Sequence, residues 1–323
     1  MLTKYKYPQS MRNLEKLFAI NNNFKIFYNK LGPPQLFDVT LRDGLQGLSK
    51  EQQIDFTFKN KKDLYNEIVV IHNPKKIEIG SIVSKKVLPI FEDTLEFFNY
   101  IKEQNVSVKT EIDQQQQPEC FILIPNYAKL QEVINNESIN NFSFITSVSN
   151  SFQLKNTKMS LTETDQDLYK MMYELDENKY RRVKSNIKLY VSCISECPIE
   201  GKIDNDFIVN RLLLLNKMNV EFLCLSDTCG SLEVEDFEYI IETCVFFGLH
   251  PSKFSLHLHV KPGREKIIEK IIHKALHYKI NNFDVSLLET GGCSVTMKKE
   301  NLAPNLSYEL YYKALLNYII KNI

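Results

Sequence analysis

The sequence has no run of about 18 consecutive apolar residues, so no transmembrane helix is expected. Met1 to Lys30 also lacks the apolar stretch of a secretory signal. Neither sign of charge is in excess: 40 basic and 40 acidic side chains leave a formal net charge of +0 over 323 residues, a balance that gives no support to nucleic-acid binding. The seven cysteines are odd in number and scattered without metal-finger spacing. That pattern argues against a disulfide framework and suits reduced thiols in a cytosol-like compartment. A cytoplasmic protein with no membrane or nucleic-acid partner is therefore expected. Lys4, Lys6, Arg12, Lys16, Lys25 and Lys30 against Glu15 alone would also suit a transit peptide and a mitochondrial location. The single Arg and the single Ser10 match that composition poorly and favour an extra helix.

What is present is a regular alternation. Apolar runs with strand character recur at 36–41, 76–79, 120–124, 142–146, 187–192, 222–226, 254–259 and 283–288. Between them lie segments with helical apolar spacing, among them 91–101, 204–218, 234–247 and 265–278, with a last one at 308–320. No Gly-rich dinucleotide loop follows the first strand, which argues against an open doubly wound sheet. Eight strand–helix units fit an α/β fold of the closed (β/α)8 TIM barrel type, typically about 250 residues plus extensions. The expected organisation is a short N-terminal extension over 1–33 and the barrel over 34–323.

In such a barrel, chemistry collects after the carboxyl ends of the strands. Asp43 follows the first run, Glu78 ends the second, Asn126 follows the third and Ser149 the fourth. Cys193 follows the fifth, Asp227 the sixth, His257 and His259 end the seventh, and Gly291-Gly292-Cys293 follow the eighth. In Leu36-Phe37-Asp38-Val39-Thr40-Leu41-Arg42-Asp43-Gly44-Leu45-Gln46 an apolar strand delivers a guanidinium beside a carboxylate, which suits oxyanion stabilisation and metal binding. His257 and His259 stand two apart in a strand and so share a face, the geometry of a metal claw. Two imidazoles with an oxygen ligand suit a divalent cation, Mg²⁺ or Mn²⁺ first and Zn²⁺ also. Gln46, Glu78, Asn126, Ser149 and Asp227 are the candidates for binding substrate or supporting the ligands.

Several motifs carry a family resemblance. Asp38-Val39-Thr40-Leu41-Arg42-Asp43-Gly44, Tyr190-Val191-Ser192-Cys193, Cys197-Pro198-Ile199-Glu200-Gly201-Lys202-Ile203, Gly291-Gly292-Cys293 and Asn301-Leu302-Ala303 together resemble the hydroxymethylglutaryl-CoA lyase family. That family sits within a wider superfamily of metal-dependent lyases and Claisen-type synthases. The first motif is common to the superfamily, whereas the Cys197–Ile203 segment and the Gly-Gly-Cys loop are similar to the lyase branch. The resemblance implies a retro-Claisen cleavage of a 3-hydroxy acyl-CoA to a keto acid and acetyl-CoA. It implies metal ligands Asp43, His257, His259 and Asn301, with Arg42, Cys293 and His257 as catalytic groups and a homodimer as the assembly. Alternatives are a Claisen-type acyltransferase using acetyl-CoA and a 2-keto acid, and a non-catalytic binding protein. Two departures from the family pattern bear on the site: Val260-Lys261-Pro262-Gly263 follow His259, and Ser294-Val295-Thr296 follow Cys293. The residues supporting the metal ligands are therefore expected to differ from the family's.

Overall fold

The computed structural model describes residues 22–32, 35–107, 117–177, 185–218, 220–292 and 295–322. Within them, eight parallel strands close into a barrel: β1 (Gln35–Asp38), β2 (Lys76–Ser81), β3 (Glu119–Leu123), β4 (Asn141–Ser147), β5 (Asn186–Ser192), β8 (Phe222–Asp227), β9 (Phe254–Leu258) and β10 (Asn282–Val285). β6 (Glu196–Cys197) and β7 (Gly201–Lys202) form a small antiparallel hairpin beyond β5. Neighbours around the barrel run β1-β10-β9-β8-β5-β4-β3-β2, and β1 closes the ring by pairing with both β2 and β10. This is the (β/α)8 TIM barrel expected from the alternation.

Period-two side-chain direction explains why the runs read as continuously apolar yet carry chemistry. In β5, Ile187, Leu189 and Val191 join the main apolar layer under the helices, while Lys188 and Tyr190 face the interior beside Asp284 and Glu78. In β9, Phe254, Leu256 and Leu258 join the same outer layer, and the intervening His257 meets Asp284 within the barrel. Phe37, Val39 and Phe121 fill the interior lower down, with Phe37 and Phe121 edge-to-face at 5.0 Å. The helices cover the outer layer with one face each. In Glu265–His277, residues Ile268, Ile271, Ile272, Ala275 and Leu276 are buried at helical spacing. Tyr308–Asn322 buries Tyr308, Tyr311, Tyr312, Leu315 and Ile319 in the same way. No helix among the described residues is long and apolar enough to cross a membrane.

Two sequence expectations shift. Residues 36–41 were expected to be one strand, but β1 ends at Asp38 and Thr40–Gly44 turn into a π-helical loop. β10 likewise ends at Val285, short of Leu288. Of the expected 1–33 extension, residues 1–21 and 33 lie outside the described residues. Asn22–Leu31 form a helix that packs on the last helix and ends at Gly32, whose positive φ of 84° and amide bond to the Tyr28 carbonyl make a C-terminal cap.

Candidate active site

The loop after β1 sets the first half of the site. Asp38 accepts the Thr40 amide and hydroxyl, each at 2.9 Å, and the Tyr308 hydroxyl at 2.7 Å, anchoring the chain just before the turn. The Gly44 amide then reaches the Val39 carbonyl at 3.1 Å, and this wider turn buries both Arg42 and Asp43. Single π-turns of this kind are frequent at functional sites.

Arg42 donates through Nη1 to Asp43 Oδ1 at 2.5 Å and through Nε to Glu78 Oε2, with its guanidinium 5.1 Å over the Tyr190 ring. Burial favours its neutral form, but the Glu78 and Asp43 carboxylates outweigh this and hold Arg42 charged. Burial would also raise Asp43; Arg42, the two histidines and the Gly292 amide at 3.0 Å reverse that and keep the carboxylate ionised. Glu78 Oε2 also accepts the Tyr190 hydroxyl at 3.2 Å, and its other oxygen, Oε1, is buried without a partner.

The second half comes from β9. His257 Nε2 and His259 Nε2 face each other at 3.1 Å, and His257 Nε2 lies 3.8 Å from Asp43 Oδ2. One ligand atom from each of Asp43, His257 and His259 falls within 4.8 Å of the others. The opposite ring nitrogens are engaged: His257 Nδ1 bonds Asp284 Oδ2 at 3.0 Å, and His259 Nδ1 bonds the Ala303 carbonyl at 2.9 Å. A carbonyl only accepts, so His259 carries its proton on Nδ1 and turns an Nε2 lone pair inward; the Asp284 carboxylate imposes the same tautomer on His257. Burial, then the neighbouring His257, push the His259 pKa down to about 4, so this ring is neutral near pH 7.

Two inward lone pairs 3.1 Å apart repel unless a cation lies between them. The charge balance agrees: in the buried cluster, Asp43, Glu78 and Asp284 oppose only Arg42 and Lys188, leaving one negative charge. The donor set of one carboxylate and two imidazoles, each with Nδ1 already engaged, therefore fits a divalent metal.

These groups open onto a cavity of about 260 Å³ lined by Arg42, Asp43, Gln46, Asn126, His257 and His259 among others. Gln46 and Asn126 thus lie in the cavity wall, and Asn126 Oδ1 also caps its helix by accepting the Lys129 amide at 3.0 Å. Other candidates do not line it. Glu78 stands behind Arg42. Ser149 caps the helix Asn150–Thr157 and bonds Cys197 Sγ at 3.1 Å and Glu200 Oε2, while Asp227 accepts the Ser231 and Leu232 amides, each at 3.0 Å, closing its own turn. A short polar residue at a helix start or turn satisfies backbone donors first, which is why the substrate role expected for Ser149 and Asp227 is not visible in the geometry.

Asn301, expected as a fourth ligand, is exposed in the short turn Lys299–Asn301. The buried amide beside the site is Asn305, which bridges His259 in antiparallel pairing and donates to the Thr290 carbonyl at 3.1 Å. Cys293, with Ser294, lies outside the described residues. His257 was assigned both metal binding and base catalysis; with Nδ1 bonded to Asp284, its one inward lone pair serves one role at a time. Sequence reasoning passed over Asp284, Lys188 and Asn305. The available signal was a charged residue inside an apolar strand, as Lys188 is in 187–192.

Fold and site together define a class: a (β/α)8 barrel with an Asp-His-His cluster and an arginine at the carboxyl ends of its strands. No protein-family model matches the chain. In sequence it is 25% identical over 233 residues to the cytoplasmic 3-hydroxy-3-methylglutaryl-CoA lyase of Rattus norvegicus, which covers 71% of this chain. The chain spans 65% of that relative's length. Among solved structures, the HMG-CoA lyase of Acinetobacter baumannii, in complex with coenzyme A and 3-methylmalate, superposes with a TM-score of 0.68 at 22% identity, covering 90% of this chain and 84% of that one. The hydroxymethylglutaryl-CoA lyase of Pseudomonas aeruginosa gives 0.66 at 21%, covering 88% and 86%. In sequence the chain is thus similar to one hydroxymethylglutaryl-CoA lyase, and in fold to several.

Proposed function

We propose that this chain is a metal-dependent carbon–carbon lyase of the hydroxymethylglutaryl-CoA lyase kind, cleaving a 3-hydroxy acyl-CoA by a retro-Claisen reaction to a keto acid and acetyl-CoA. The single observation that carries the reading is the buried convergence of Asp43, His257 and His259 beside Arg42. On this reading residues 1–33 are an extension and 34–323 the working barrel.

Asp43, His257 and His259 would hold the metal, Mg²⁺ or Mn²⁺ with Zn²⁺ as a further candidate. When bound, it supplies the Lewis acidity that lowers the pKa of the substrate hydroxyl. The hydroxyl then loses its proton, its electrons form the ketone, the carbon–carbon bond breaks, and the bonding pair moves to the thioester as an enolate. Arg42, fixed by Glu78 and Asp43, is the preorganised cation for that oxygen. The enolate carbon takes a proton to become acetyl-CoA. We assign that proton to Cys293, the thiol that follows Gly291-Gly292 in the sequence, on the family resemblance of the Gly-Gly-Cys segment. With Nε2 of His257 given to the metal, the hydroxyl proton would pass to solvent water in the open cavity and not to His257.

A cavity of about 260 Å³ is below the ~300–1,000 Å³ of pockets for drug-sized ligands, so it suits the acyl group and leaves the CoA portion at the rim. Coenzyme A in the Acinetobacter relative supports the acyl-CoA class. The designation of the rat relative supports a cytosolic reaction, and a homodimer is proposed on the family resemblance. Purified protein mixed with hydroxymethylglutaryl-CoA and divalent metal should release acetoacetate and acetyl-CoA, with Cys293→Ala lowering the rate sharply. No turnover with any divalent metal would sink the reading.

A further inference from the structure

We infer that Asp284, held by Lys188, is the positioning residue that fixes His257 as a ligand imidazole, an inference that rests on the metal site proposed above. Asp284 stands on β10 and Lys188 on β5, and both are 1% exposed. Asp284 Oδ2 bonds His257 Nδ1 at 3.0 Å, while Oδ1 pairs with Lys188 Nζ. Neither residue is among those lining the cavity, so any effect on chemistry passes through His257.

The arrangement is specific. A buried ammonium is tolerated only when paired, and Lys188 has both the carboxylate and two aromatic faces, Phe37 at 3.5 Å and Tyr190 at 4.4 Å. Paired through Oδ1 with the Lys188 ammonium, Asp284 stands as a carboxylate. An ionised carboxylate only accepts, so His257 must place its proton on Nδ1 and its lone pair on Nε2, toward Asp43 and His259. Lys188 occupies the other oxygen and so pins the carboxylate's rotation. The ring plane of His257 and the direction of its lone pair are set before a metal arrives.

The test is calorimetry with Mn²⁺ on the whole chain, with circular dichroism confirming the fold of each variant. Asp284→Asn can present an amide N–H to Nδ1 and turn the lone pair away, so its Mn²⁺ affinity should fall about 10–100-fold. Lys188→Met should weaken binding in the same direction, and Lys188→Arg, which keeps the cation, should retain more of it. Wild-type affinity in both Asp284→Asn and Lys188→Met overturns the inference while leaving the metal site standing. A wild-type chain that binds no divalent metal overturns both. Should the variants fail to fold, nitrogen NMR of metal-free wild-type protein decides: a His257 protonated at Nδ1 supports the inference, and one protonated at Nε2 refutes it.

Discussion

The Nε2 atoms of His257 and His259 stand 3.1 Å apart, each with its opposite ring nitrogen already bonded, to Asp284 and to the Ala303 carbonyl. Such a pair is repulsive when empty and complementary to a cation when filled. Binding therefore stabilises the fold by mass action, about 2.7 kcal/mol at a metal concentration 100 times Kd. Melting with and without Mn²⁺ should show a midpoint rise of several degrees in the wild type and none in Asp43→Ala or His259→Ala. An equal rise in those variants would place the metal elsewhere.

Arg42 has a catalytic and a structural duty that can be separated. Removing it as Arg42→Met takes away the proposed oxyanion partner, for which a loss of about 10²–10³ in kcat is expected. It also strands Glu78, whose Oε1 has no partner to begin with, and breaking such a buried pair costs about 3–5 kcal/mol. Adding Glu78→Gln to Arg42→Met should recover part of the stability in urea titrations and none of the activity. Recovery of both would remove Arg42 from the chemistry.

Gly47 is packed so closely against the loop after β10 that an added Cβ would lie 2.5 Å from the Gly291 amide nitrogen. Gly47→Ala must push apart the loop that delivers the Gly292 amide to Asp43. Kinetics and calorimetry should show lower kcat and weaker metal binding with little change in far-UV circular dichroism. Unchanged kinetics would show that the two loops can separate without consequence.

Beneath the last helix, His72 stacks on Tyr308 at 3.7 Å, and Tyr308 donates to Asp38. Burial lowers the His72 pKa from 6.5 to about 4. It raises Asp38 from 3.8 to about 7, against the opposing bonds from Tyr308 and Thr40. Between about pH 4 and 6.5 the unfolded His72 holds a proton that the folded one lacks, so its contribution to stability rises with pH. For Asp38 the folded state holds the extra proton between about pH 4 and 7, so its contribution falls with pH. Denaturation midpoints across this range should fall more steeply with pH in His72→Phe than in wild type, and Asp38→Asn should lose the falling component. Curves parallel to wild type would contradict these assignments.

Much of the barrel was legible because parallel strands buried on both faces are apolar runs, and helices such as Glu265–His277 show one apolar face. Arg42, Asp43, His257 and His259 were legible because they cluster at one end of those runs. The π-turn at Thr40–Gly44 was not, since its hydrogen bonding leaves no period in the sequence and Val39-Thr40-Leu41 reads as strand. Asp284 stayed hidden for another reason: its importance comes from a bond to β9, across a closed sheet. The exposure of Asn301 and burial of Asn305 follow from the bridge between Asn305 and His259, a contact 46 residues apart in numbering that no local pattern announces.

The most direct measurement is a titration of metal-stripped protein with Mn²⁺ or Mg²⁺ in the presence of hydroxymethylglutaryl-CoA, following acetoacetate and acetyl-CoA together. The account predicts no cleavage without metal, equal amounts of both products once metal is added, and a plateau near one bound ion per chain. Cleavage that proceeds undiminished in the stripped protein, or none with any divalent metal, would contradict it.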